Sequence, residues 1–191
     1  MAEPDHPIPY DELPGHLEGP TASYAPVPSV VGQPPERPIV PPVAQPQPLG
    51  PPDASVLSAG RGRFVWPVRG TVFSGFGPKA GGQRSDGIDI AAPLGTPVMA
   101  AATGDVVYAG ALPELGNLVL VKHQDGWITA YAHLSKTEVR IKDHVAQGQE
   151  VGQAGESGSA AQSEVYFEIR YAPTPRDKAR PVDPALLLAS Q

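Results

Sequence analysis

The sequence predicts an all-β domain, a small antiparallel β-sandwich or barrel, carried behind a disordered proline-rich N-terminal tail. Short apolar segments recur from residue 64 onward, each bounded by glycine turns at close spacing, as in antiparallel sandwiches and barrels. Residues 164–170 alternate strictly between polar and apolar side chains, the period of a half-buried strand. The prolines are segregated, with 16 of the 25 within residues 1–60.

Proline fixes φ and removes a backbone donor, so neither helix nor sheet propagates through PPERP, VPPV or PQPLGPP. With few aromatic residues, this stretch buries too little apolar surface to offset its ordering entropy. Residues 1–60 are therefore expected to be a linker, partly polyproline II, with residues 61–191 as the folded domain. Docking of the linker to a proline-binding partner is the alternative. Residues 1–60 hold one basic residue, Arg37, and seven acidic ones, 1 − 7 = −6, which accounts for the whole net charge. The remainder holds 13 of each sign, so a concentrated basic face for nucleic acid is not expected. There is no cysteine, which excludes disulfides and thiolate metal sites. No run of about 18 apolar residues is present, so no membrane span is expected. No charged-then-apolar leader opens the sequence.

In chain order, Phe64–Val68 reads as a short edge strand, because Pro67 cannot donate to a ladder. Gly70 turns into a strand at 71–74, and a glycine-rich loop follows from Gly75 to Gly82. Strands are expected at 87–90, 98–100 and 104–109. Segments 118–123 and 127–133 pair as a hairpin across Gln124-Asp125-Gly126. A turn and strand surround Gly148, and a basic, proline-bearing loop runs from Arg170 to Arg180. Pro181 to Pro184 opens a short helix over 185–189. Within 164–170, Val165, Phe167 and Ile169 share the core face, whereas Glu164, Tyr166 and Glu168 form the floor of something open.

Several separated motifs give a specific resemblance. They are FVWPVRGTVFSGFG at Phe64 to Gly77, the GIDIAAP…GTPV…AA stretch opening at Gly87, YAHLS at Tyr131 to Ser135, and GESGSAAQSEVYFEIR at Gly155 to Arg170. Together they resemble a LytM-type (lysostaphin-like) zinc peptidase domain over about residues 64–187. In the active family, the resemblance implies, one zinc is held by a His and an Asp of His-x-Gly-[Ile/Val]-Asp and by the latter His of a His-x-His pair. The His of Tyr-x-His and the former His of the pair act on water and the developing oxyanion. Carried over by position, the first ligand falls on Ser85, the second is kept as Asp89, and the third falls on Tyr166. Of the catalytic pair, His133 is kept and the other position holds Glu164. A serine hydroxyl and a phenol are poor neutral-pH ligands, and catalytic zinc needs three protein ligands. No catalytic residue, no metal and no cofactor are therefore expected. A makeshift Asp89–His133–Glu164 metal site is the weaker reading, because those family positions are not all aimed at the ion.

The resemblance is to degenerate domains of the NlpD/EnvC/DipM murein hydrolase activator type. It implies a regulator that docks on an N-acetylmuramoyl-L-alanine amidase or another cell-wall hydrolase, in the periplasm or cell envelope, at the division site. The expected pseudo-active groove is lined by Ser85, Asp89, His133, Glu164 and Tyr166. Arg84, Arg170 and Tyr166 are the expected partner contacts, with Arg176, Lys178 and Arg180 beyond them. A passive peptidoglycan-binding module and an active endopeptidase are the alternatives. His123 reads as structural and His144 as solvated; Glu168 and Arg170 read as a structural pair or as groove residues. GTPVMAAATGDVV also looks like half of a lipoyl carrier domain, but Met99 is followed by Ala100 where a swinging-arm lysine is needed.

Overall fold

The computed structural model describes residues 54–174 and 176–189. Residues 1–53, on which most of the linker expectation falls, lie outside the described residues. The described chain is all-β. Its strands are β1 (Val72–Ser74), β2 (Gly77–Pro78), β3 (Arg84–Ser85), β4 (Ile88–Ala91), β5 (Pro97–Met99), β6 (Gly104–Leu112) and β7 (Gly116–Lys122). They continue with β8 (Trp127–Leu134), β9 (Lys136–Thr137), β10 (His144–Val145), β11 (Glu150–Gln153), β12 (Glu164–Tyr171) and β13 (Arg180–Val182). The main sheet runs β1-β4-β12-β8-β7-β6-β10, with β13 also pairing β12. A smaller sheet runs β5-β11-β9, and β2 and β3 form a separate hairpin. All these strand pairs are antiparallel.

The core joins both sheets: Val98 and Val151 from the smaller one meet Val106, Val119, Tyr131, Phe167 and Ile169 from the larger. On β12 the alternation holds, with Val165, Phe167 and Ile169 fully buried. Gly87 lets β4 start flush against β12, since a Cβ there would lie 2.4 Å from the Phe167 carbonyl oxygen. His123 is structural, as expected of a residue that ends a strand before a hairpin. Its Nδ1 donates to the Thr103 carbonyl at 2.8 Å and its Nε2 meets Thr129 Oγ1 at 2.8 Å. Thr129 in turn bonds the buried Tyr131 hydroxyl, which accepts from the Ala101 amide. His144 is exposed and pairs with Asp105.

Three local expectations need correction. Residues 54–60 are not linker but a helix, α1 (Ala54–Gly60). The last proline of the segment is Pro52, and beyond it Val56 and Leu57 pack against the core while Gly60 sits against Leu187 and Trp127. Phe64–Val68 is not a strand. Only Phe64 makes a bridge, parallel to Leu188, and the segment is then laced by Val65 N–H to the Ala101 carbonyl and by Met99 N–H to the Pro67 carbonyl. The expected helix at 185–189 is a single 3₁₀ turn, Pro184–Leu186, started by Asp183 accepting from the Ala185 amide.

Candidate functional site

The cleft lies where β12, β4 and β8 run side by side on the outer face of the main sheet. Register places Tyr166 of β12 between Asp89 of β4 and Ala132 of β8. The β2–β3 hairpin and its connecting turn supply Lys79, Gln83, Arg84 and Ser85 as a wall. Ser85, Asp89, His133 and Tyr166 all line one cavity of about 610 Å³, with Ser74 and Leu115.

His133 reaches the cleft by a distortion. On β8, Trp127 and Tyr131 point into the core and Ala130 and Ala132 to the outer face, so strict alternation would send His133 inward. Instead His133 is left-handed, φ +62°, and the pairing with β7 jumps from Val119↔Tyr131 to Asn117↔Leu134. The extra residue is a β-bulge, which re-aims the imidazole outward while Leu134 returns to the core. The His133 amide donates to the Leu115 carbonyl at 2.9 Å, and its Nδ1 donates to the Ser157 carbonyl at 2.8 Å. Its Nε2 faces Glu164 Oε1 at 3.8 Å. Glu164 is buried behind His133 and is not part of the cavity lining. Burial first, then the neighbouring Asp89 charge, push the Glu164 carboxyl above its ordinary range, against the pull of His133.

Tyr166 is half-buried and its ring lies 6.0 Å from the His133 ring. Its hydroxyl donates to Glu168 Oε1 at 2.6 Å. The other Glu168 oxygen takes a short hydrogen bond from Arg170 Nε, and Arg170 Nη2 reaches Asp86 Oδ2 at 3.3 Å. Asp86 also accepts from Arg84, whose guanidinium lies 4.9 Å over the Phe76 ring. Burial, then the Glu168 charge and hydrogen bond, hold the Tyr166 phenol well above its ordinary range. Glu168 and Arg170 are thus a structural pair whose chain ends on a cleft tyrosine. Arg170 does not line the cleft, whereas Arg84 does. Arg176 and Lys178 are not rim charges. Their loop leaves the Tyr171 end of β12 and bonds the Gly126 turn, about five residues or roughly 17 Å along the strand from Tyr166. Arg180 pairs with Tyr171 at the same end. Lys79 was not singled out from sequence; it lies in a glycine-rich loop with no periodic signal.

A zinc of the kind the fold implies does not fit this donor set. The Ser85 hydroxyl is turned back onto Gly87, donating to its carbonyl at 2.9 Å. The Tyr166 phenol is protonated and donates to a carboxylate, so it offers no anionic oxygen. Among the described residues, no group of three His, Asp or Glu is arranged to hold a metal ion.

Comparison with known proteins agrees with the motifs. The cell division protein DipM of Caulobacter vibrioides is 53% identical over 139 residues, covering 72% of this chain and 23% of that protein. The murein hydrolase activator NlpD of Escherichia coli is 43% identical over 107 residues, covering 56% of this chain and 27% of that protein. The chain therefore spans about a quarter of the length of these relatives. Among solved structures, the catalytic domain of the prophage-encoded M23 protein EnpA from Enterococcus faecalis, an A109H mutant, superposes with a TM-score of 0.56. It is 33% identical and covers 65% of this chain and 97% of that one. The sequence profile described as Peptidase family M23 matches residues 83–184, more than half of the chain. The chain belongs to peptidase family M23, the LytM-type fold that its motifs resemble.

Proposed function

We propose that this chain is a non-catalytic M23 domain that regulates a cell-wall hydrolase by docking through its cleft. The observation that carries this reading is the fate of the ligand positions. Ser85 and Tyr166 are engaged in hydrogen bonds with Gly87 and Glu168, so the scaffold of the site is kept while its metal-binding chemistry is replaced. The names of the relatives, a cell division protein and a murein hydrolase activator, support a role in cell-wall remodelling. The partner proposed is an N-acetylmuramoyl-L-alanine amidase in the periplasm, at the division site. Docking then acts as a population shift: the cleft binds a segment of the amidase in its open state better than in its closed state.

The test is release of dye from labelled cell-wall sacculi. The purified chain alone is expected to release none, and to accelerate release by the amidase of the same organism. Lysis by the chain alone that is lost on chelation overturns the non-catalytic reading. Binding to sacculi with no effect on the amidase replaces regulation with passive wall binding.

A further inference from the structure

The main sheet ends on an edge that β10 covers only in part. β10 pairs with β6 at Gly104 and Asp105. Just beyond, the Val106 amide donates to the Asp143 carbonyl and the Val106 carbonyl accepts from the Lys142 amide. Among the described residues no strand pairs with Tyr108–Leu112 on that side. The direction of the backbone there follows from β7. The His123 amide donates to the Trp127 carbonyl, so odd-numbered residues of β7 turn their backbone groups to β8 and even-numbered ones turn theirs to β6. The Asn117 amide agrees, since it leaves β6 for Ser157 Oγ. Ala109 and Ala111 stand opposite Val119 and Asn117, so their N–H and C=O groups point out of the edge. The Ala111 carbonyl accepts from the Tyr108 hydroxyl at 3.3 Å; the other three groups have no partner among the described residues. The bulge of β6 lies before this stretch, between Val106 and Tyr108, and no proline or charged side chain blunts Tyr108–Leu112 itself.

We propose that this edge pairs with the same edge of a second copy of the chain, antiparallel about a two-fold axis at Gly110. The stretch is symmetric about that residue, Ala-Gly-Ala. With the axis there, Ala109 faces the partner's Ala111 and exchanges both backbone bonds with it, and Ala111 does the same with the partner's Ala109. Gly110 meets its own copy with no side chain between. Tyr108 faces the partner's Leu112, which is exposed, as an aromatic–aliphatic cross-strand pair. Neighbouring registers fail. An axis at Ala109 sets Leu112 against Val106, whose backbone already holds Asp143 and Lys142. An axis at Ala111 sets Ala109 opposite Pro113, which has no N–H. With the axis at Gly110 the seam stops at Pro113, where β6 ends in a turn. That turn carries Glu114 toward the partner's Lys142; both are exposed, and neither belongs to an ion pair among the described residues. The axis is perpendicular to the sheet, so both outer faces lie on one side. β12 is three strands from β6, which puts the two Tyr166 cleft floors seven strand spacings apart, about 34 Å. The pairing does not depend on the docking reading. Where docking holds, the dimer offers two clefts to one partner and gains by avidity.

The experiment is sedimentation velocity of the full chain over a range of concentrations, with melting curves to establish that each variant is folded. The parent is expected to pass from monomer to dimer as concentration rises, with low affinity, because a five-residue seam buries little area. Ala111→Pro removes an outward N–H without touching the bonds to β7. It is expected to weaken dimerisation about tenfold or more, since the loss counts twice about the axis. Lys142→Glu is expected to weaken it severalfold, and Lys142→Glu/Glu114→Lys to recover it. Phe73→Lys, on β1 at the opposite edge of the sheet, is expected to dimerise like the parent. A parent that stays monomeric at every concentration overturns the inference. A dimer that folded Ala111→Pro leaves intact, or that Phe73→Lys disrupts equally, overturns this edge as the seam. No recovery in the double charge variant overturns the register centred on Gly110, and that pair of variants decides alone if Ala111→Pro does not fold. Each of these outcomes leaves docking standing, because dye release tests it separately.

Discussion

Arg170→Met tests whether the chain from Asp86 to Tyr166 is a structural unit. Glu168 is only 7% exposed, and its two oxygens are held by the Tyr166 hydroxyl and by Arg170. Removing Arg170 leaves a nearly buried carboxylate with one neutral donor. For a fully buried pair such a loss costs about 3–5 kcal/mol; for an exposed one, about 0–1 kcal/mol. The Arg170 side chain is 32% exposed, so water replaces part of what it gave. The expected destabilisation is therefore intermediate, about 2 kcal/mol. Methionine keeps much of the stem volume, so the effect is electrostatic rather than a cavity. Urea unfolding of Arg170→Met, Glu168→Gln and the double variant separates the terms. Once the carboxylate is neutral, Arg170 keeps only its pair with Asp86, and the double variant is expected to lose less than the sum of the singles by about 1 kcal/mol or more. Additive losses, or an Arg170→Met loss below about 0.5 kcal/mol, would refute the reasoning, because the guanidinium would then be a solvated surface charge.

Three further outcomes are expected. Desolvation lowers the His123 pKa below its unfolded value of 6.5, with Arg63 adding to it against the Thr103 hydrogen bond; the fold thus favours the neutral ring. Its stability contribution is present above pH 6.5 and is lost as pH falls from there toward the folded pKa, so urea midpoints are expected to drop across that interval and to drop less in His123→Gln. Starting the chain at Arg61 instead of Ala54 removes α1 with Val56 and Leu57, and calorimetry is expected to show a loss of about 1–3 kcal/mol. Elemental analysis after dialysis against zinc is expected to find well under one ion per chain, with no change of melting temperature on adding chelator; one zinc per chain would contradict the misfit of Ser85 and Tyr166.

Much of the fold was legible because its signals are local. The alternation of β12 fixes its two faces, and the turn at 124–126 fixes the β7–β8 hairpin; both are reproduced in the pairing. What was not legible depends on contacts distant in sequence. Seven residues beyond Pro52 fold because Gly60 meets Trp127 and Leu187, and nothing in ASVLSAG announces those partners. The loop through Arg176 and Lys178 reads as a basic rim until the direction of β12 places it at the opposite end of the sheet.

The site shows the same division most clearly at His133 and Lys79. Period-two reading of β8 buries His133 with Tyr131; only the motif resemblance put it in the groove, and the bulge at φ +62° supplies the physical reason. The resemblance implies that a zinc would tie β3, β4 and β12 together through the positions of Ser85, Asp89 and Tyr166. Here the Asp86–Arg170–Glu168–Tyr166 chain ties the β3–β4 turn to β12 without using Asp89. The hydrogen-bonded chain thus joins the elements that the resemblance assigns to a metal, and Asp89 takes no part in it. Register sets Asp89 between Ser74 and Tyr166, with the Lys79 ammonium on the Ser74 hydroxyl, so the lysine that the glycine-rich loop hid from the sequence sits on the same side of the tyrosine ring as Asp89.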